Sequence, residues 1–270
     1  MKNSRILLVL LALFGLSALT INAAQLATAK VLSVTGTVNT YNADGTESPL
    51  AVGAILAQGD SVVTTALSET LLVFSNGSEL TIEENTSITL AELAQEAFSG
   101  NKSYEQLQAD PSKSQALLEL NYGKVSGHVK KLRSGSEFYI ETPLGTAAIR
   151  GTTFKVELRY NAERGEFMLF IYNYDGKVDI MSRYAGVFKY GRSNIGDKGY
   201  DSNVTNDRSE PIPPAHIIVI RLSRDDPHFH DIIHLIKNFP PFVSPPLTPE
   251  PPIYNPDPED QDTAIASPNT

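Results

Sequence analysis

Phe154-Lys155-Val156-Glu157-Leu158-Arg159-Tyr160 places an apolar side chain at every second position and a charged one between each pair. Successive side chains of an extended chain point to opposite faces, so this stretch reads as a strand with one face buried and one wet. Downstream, Asn161 to Gly165 turns the chain into Phe167 to Tyr174, which is almost continuously apolar and aromatic. Asp175-Gly176 then supplies a primed turn into a strand over Lys177 to Met181. Upstream, Glu137 to Thr142 has strand character and ends at Pro143, whose ring fixes φ and removes a donor. Gly151 permits a bend before the opening strand. Arg150 is the single charge between Thr142 and Thr153. A structural arginine, bound to backbone carbonyls or an acidic side chain of the turns, is the favoured reading over a carboxylate-binding one.

The remainder extends the same pattern. From Lys30 to Ile88 short β segments alternate with glycine turns, and Leu71 to Phe74 faces Glu79 to Ile82 across Ser75-Asn76-Gly77-Ser78, where Asn-Gly favours a type I′ hairpin. Leu90, Leu93, Ala94, Ala97 and Phe98 recur at helical spacing, which predicts a helical insertion over 90–115 with a second short stretch at Tyr104 to Gln108. Strands return at Ala116 to Leu120 and Lys124 to Val129, and one more is expected over Tyr184 to Tyr190 ahead of a polar loop over Arg192 to Arg208. A strand at His216 to Leu222 and a short helix from Pro227 to Asn238 follow. From Pro240 onward ten prolines and many acidic or small residues predict a disordered tail, because such a segment lacks both donors and apolar mass for a core.

Charge and composition bound the function. Lys2 and Arg5 precede the apolar run Ile6 to Leu19, which as a helix spans about 21 Å, short of the ~30 Å hydrocarbon core. A signal peptide over 1–24, cleaved after Ala23 or Ala24, is expected in preference to a retained anchor, placing the chain in the periplasm or at the cell surface. There is no cysteine, so stability must come from burial. With 22 basic and 31 acidic residues the net charge is −9, a field that disfavours nucleic acid as a partner.

Several short motifs, in order, resemble the FecR family, named for the ferric-citrate regulator. They are Gly36-x-Val38, Gly59-Asp60-x-Val62-x-Thr64, Phe74-x-Asn76-Gly77-Ser78-x-Leu80, Gly123-x-Val125 and Asp175-Gly176-x-Val178. The strongest is Phe138-x-Ile140-x-Thr142-Pro143-x-Gly145 followed by Ile149-Arg150-Gly151-Thr152-x-Phe154. The resemblance implies the periplasmic sensor domain of that family without its cytoplasmic anti-sigma segment, for which the residues ahead of the domain leave no room. Taken with the turn pattern, the expected fold class is all-β, solenoid-like or a sandwich. The expected layout is a FecR-like domain over 30–200, a strand-helix extension over 211–239 and the proline-rich tail over 240–270.

No catalytic, cofactor-binding or metal-binding residue is expected. There is no Gly-x-Ser-x-Gly and no phosphate loop, and the adjacent pairs Glu83-Glu84 and Asp225-Asp226 point apart rather than across a cleft. Asp226, His230 and His234 fall at i, i+4 and i+8, a metal-binding spacing, but Asp226 before Pro227 is equally a helix N-cap. The basic stretch Lys124 to Arg133 reads as a solvated strand face ahead of a site for acidic glycan or lipid. The functional expectation is a non-enzymatic binding module for an envelope protein or glycan; the alternative is a regulatory sensor subunit in envelope signalling.

Overall fold

The computed structural model describes residues 27–184, 188–189, 191–192, 203–204 and 209–237. The expected signal peptide and the proline-rich tail lie outside the described residues. Seventeen strands form one hydrogen-bonded set, which divides into two facing layers.

The first layer runs β3 (Glu47–Pro49), β2 (Val38–Tyr41), β5 (Ser61–Thr64), β8 (Ser87–Gln95), the first half of β9 (Ser114–His128), β10 (Glu137–Thr142), β11 (Gly145–Arg150), β14 (Lys177–Ser182) and β18 (Glu210–Ile212). The second runs β4 (Ile55–Leu56), β1 (Ala29–Thr35), β6 (Glu69–Phe74), β7 (Glu79–Ile82), the second half of β9, β12 (Thr153–Asn161), β13 (Glu166–Asn173), β19 (His216–Ser223) and β16 (Gly191–Arg192). A separate pair, β15 (Phe188–Lys189) and β17 (Asn203–Val204), stands beside them, and one helix, α1 (Phe229–Lys237), follows β19.

The fold is therefore all-β, as the alternation predicts, and it carries features of both expected architectures. The two layers bury one core between them: Phe74 of β6 meets Phe138 of β10 edge-on at 5.6 Å between centroids, and Phe138 meets Phe154 of β12 at 6.3 Å. Yet the chain coils between layers, since β9 leaves the first layer for the second and β10 returns to pair parallel with its first half. Gly123 makes the crossing, with φ at 94° and Thr86 Oγ1 2.4 Å from where a Cβ would sit. That conformation and that contact admit only glycine. The two separate strands expected at Ala116 to Leu120 and Lys124 to Val129 are thus one strand of 15 residues.

The helical insertion expected over 90–115 is a correction. Residues 87–95 form β8, and the only helical turn in the excursion is a single 3-10 turn at Tyr104–Gln106. A β-bulge explains how helical spacing fits a strand: Leu90 pairs with Leu118 and Glu92 with Leu117, so Ala91 is the extra residue. The skipped residue reverses the alternation, and Leu90 and Leu93, three apart, both face the core.

Two turn readings also change. The β6–β7 hairpin forms in the expected place, but among residues 75–77 only Gly77, at φ 85°, is left-handed, so the connection is a three-residue loop with a glycine bulge rather than type I′. Asp175-Gly176 carries the chain from β13 in one layer to β14 in the other and closes no hairpin. Beyond residue 209, β18 and β19 extend the two layers, and Phe229, Ile232 and Ile236 of α1 enter the same core as the strands. No helix among the described residues is long and apolar enough to cross a membrane.

Candidate functional site

The motif residues do architectural work. Thr142 Oγ1 donates to the Gly145 carbonyl at 2.9 Å and accepts from the Leu144 and Gly145 amides at 3.2 and 3.1 Å, closing the β10–β11 turn. Thr152 Oγ1 lies within hydrogen-bonding distance of Asn173 Oδ1 at 2.9 Å and Asp175 Oδ1 at 3.0 Å. The Asn173 amide donates to the carbonyls of Ile212 at 2.7 Å and Gly176 at 3.3 Å, tying the end of β13 to β18. The Thr153 N–H donated to Asp175 holds that carboxyl below its ordinary range. Thr152 and Asn173 are fully buried and neutral, so this end of the molecule is a lock between layers.

Arg150 is not part of that lock. Its side chain is exposed on β11 and makes no hydrogen bond or ion pair, which corrects the expectation that it satisfies the turn stack. The alternation of β11 turns it outward while Ile149 fills the core. The basic stretch is largely neutralised where it lies. Lys124 pairs with Glu83 at 2.6 Å, Lys130 with Glu79 at 3.5 Å, His128 Nδ1 lies 3.2 Å from Thr153 Oγ1, and Arg133 Nε donates to the Asp110 carbonyl at 3.2 Å. Lys131 alone of these side chains has no such partner; it is exposed, and its Cα is 3.8 Å from the Cβ position of Gly151. Asp226 accepts from the His228 amide at 2.9 Å, the N-cap arrangement, and Asp226, His230 and His234 are not gathered into a metal-binding group.

A further set of outward side chains lies on the outer face of the second layer. Register places side chains of β7, β9, β12, β13 and β19 in rows across it. One row is Thr81, Ser126, Lys155, Tyr172 and Ile217, and the next is Lys124, Glu157, Phe170 and Val219. On β13 the outward positions Met168, Phe170 and Tyr172 are as apolar as the inward Phe167, Leu169 and Ile171. Met168, Phe170 and Ile217 form a small second cluster outside the core. A strand buried on both faces reads as a continuous apolar run, which is why Phe167 to Tyr174 lacks alternation.

Past Phe170 the strip opens to solvent. Tyr172 and Tyr174 lie ring against ring, 6.2 Å between centroids and 10° from parallel. Lys155 Nζ stands 5.9 Å from the Tyr172 ring, and the Arg159 guanidinium covers Phe170 at 4.3 Å. Burial, then the Glu157 carboxylate, pushes the Tyr172 phenol up to about 12. Glu83 is shared by two ammonium groups, Lys124 at 2.6 Å and Lys155 at 3.8 Å. Tyrosine, phenylalanine, methionine and arginine on one strip are residue types enriched at recognition surfaces. No site residue was expected here from sequence, although aromatic residues at the outward positions of Phe167 to Tyr174 are the signal that marks it.

Comparison with known proteins agrees with the motifs. Residues 60–170 match the family model described as FecR protein. Among curated proteins the chain has no match. Two crystal structures of a proposed anti-sigma factor from Parabacteroides distasonis are similar at 11% identity, with TM-scores of 0.38 and 0.37. Each similarity covers 62% of this chain and 56% or 57% of the other, so the chain spans little more than half the length of those proteins.

Proposed function

We propose that this chain, of which residues 60–170 match the FecR family model, is a non-catalytic recognition module of the cell envelope that meets its partner through the outer face of β12, β13 and β19. The supporting observation is the division of labour in the domain. The motif side chains Thr142 and Thr152, together with Asn173, are consumed by buried turns, while Tyr172, Tyr174, Lys155 and Arg159 are gathered on one open face. The motif hydroxyls are spent on closing turns between strands, a structural use that leaves binding at the open face as the reading of function.

A photo-reactive side chain placed at Tyr174 of the full chain, in its native envelope, is expected to capture one discrete component, protein or glycan. The same group at Met181, equally exposed on the other layer, captures none. Equal labelling from both positions would remove the face from the reading. The FecR match favours a second reading, a sensor subunit that reports such binding to a membrane protein. Deletion of the gene followed by an unchanged transcriptional response to envelope ligands would exclude it.

A further inference from the structure

We propose that the closed end of the core beside the β6–β7 loop is a calcium site, in which Asp110 and Gln95 hold the ion. The site is separate from the outer face of the second layer and goes beyond the recognition reading. β8 and β9 pair antiparallel with Gln95 directly opposite Ser114, and residues so opposed project from the same face. Burial alternates along both strands and turns that face inward, in line with Leu93 and Ala116 of the core. Ser114 gathers the other groups. Its hydroxyl donates to Asp110 Oδ2 at 2.9 Å and accepts from the Asn76 amide at 3.2 Å, and its backbone N–H donates to Ser136 Oγ at 3.0 Å. Polar side chains from the β6–β7 loop, β8, the 96–113 excursion, β9 and the β9–β10 loop thus meet in one buried place.

Two of them are left unsatisfied there. Asp110 is 3% exposed and Gln95 4%, yet Asp110 Oδ1 and both polar atoms of the Gln95 amide have no hydrogen-bond partner. Asp110 Oδ2 meets only neutral donors, the Ser114 hydroxyl and, at 3.5 Å, the Arg133 backbone N–H. Arg133 itself is exposed and gives its Nε to the Asp110 carbonyl at 3.2 Å, not to the carboxylate. Buried charges in proteins are paired or coordinate metal ions, and this one has no cationic side chain on it. The donors select the ion. Carboxylate, amide and hydroxyl oxygens without thiolate or imidazole suit a hard cation. Calcium accepts an irregular shell completed by carbonyls and water, whereas magnesium demands a near-ideal octahedron. A single carboxylate makes the site weak, with a Kd of about 10⁻⁴–10⁻³ M, the range of extracellular modules. Bound there, the ion pins the 96–113 excursion to the loops on either side of it.

Calorimetric titration of calcium chloride into the chelator-stripped full chain is expected to give one ion per chain. The thermal midpoint is expected to rise with calcium, and by more than with magnesium at equal ionic strength. Asp110→Asn is expected to weaken binding on the order of tenfold. Should that variant not fold, Gln95→Glu decides. A second carboxylate strengthens a calcium site, again on the order of tenfold, whereas in a place filled by water it only sets a like charge beside Asp110. Glu119→Gln, exposed on β9, leaves both measurements unchanged. A midpoint indifferent to calcium, equal affinity in folded Asp110→Asn, or Gln95→Glu destabilised alike with and without calcium would each overturn the assignment. The recognition face is read by labelling at Tyr174, so either proposal can fail while the other stands.

Discussion

Asn173 holds three parts of the molecule with one amide, since its oxygen faces Thr152 while its nitrogen reaches the carbonyls of Gly176 and Ile212. Truncation to alanine strands buried partners that water cannot reach, at about 1–3 kcal/mol each way a group is left unpaired. Asn173→Ala is therefore expected to lower the denaturant midpoint with the slope unchanged, while Asn101→Ala, on an exposed loop, leaves it near the parent value. A midpoint unmoved by Asn173→Ala would mean that the lock is decorative. At this scale sequence showed which residues matter and not why. Thr142, Thr152 and Gly151 were visible as a motif, but a motif does not tell a buried hydroxyl from a ligand contact. Arg150 was misassigned for the same reason: lone charge in an apolar run is ambiguous until strand parity fixes which way it points.

The strands with clean period-two patterns, β12 above all, were legible from residues alone, and so was the place of β13 as a nearly continuous apolar strand, though not that both its faces are covered. β8 was not, because one extra residue converts a spacing of two into a spacing of three. That account makes a prediction of its own. Deleting Ala91 leaves Leu90 and Leu93 two residues apart and still on the core face, so the deletion is expected to shift the thermal midpoint far less than deletion of Thr89, which sits in regular register. Comparable losses would show that the bulge is not a simple insertion. The helix α1 was placed to within two residues at its start, yet nothing in sequence revealed that it belongs to the main core. Phe229 is 2% exposed and packs on Tyr160 and Phe167. Phe229→Ala is expected to cost about 3–5 kcal/mol in chemical unfolding with a single transition, whereas a helix docked as a separate module would melt in its own step.

Across the whole molecule, the alkaline limit is set by buried phenols. Burial pushes Tyr122 and Tyr172 up to about 12 from an ordinary 10. Both are neutral in folded and unfolded chains below pH 10. Between 10 and 12 only the unfolded chain ionises them, so their contribution to stability is complete below pH 10 and is lost as pH rises toward 12. With no tryptophan to obscure the phenolate band, an ultraviolet titration is expected to show two tyrosines ionising late and together with loss of the β circular dichroism signal; two early, independent titrations would contradict it. The all-β class and the run of turns were readable from sequence. The pairing of layers was not, because contacts between residues as distant as Phe74 and Phe138 leave no local trace. One strand then constrains how any message could travel. Because β9 is hydrogen-bonded into both layers, neither can slide over the other without rupturing it, and a load applied at the tyrosine face is borne at once by the opposite side. Such a body relays an event only by moving as a unit or by releasing a covering segment, never by shear within itself.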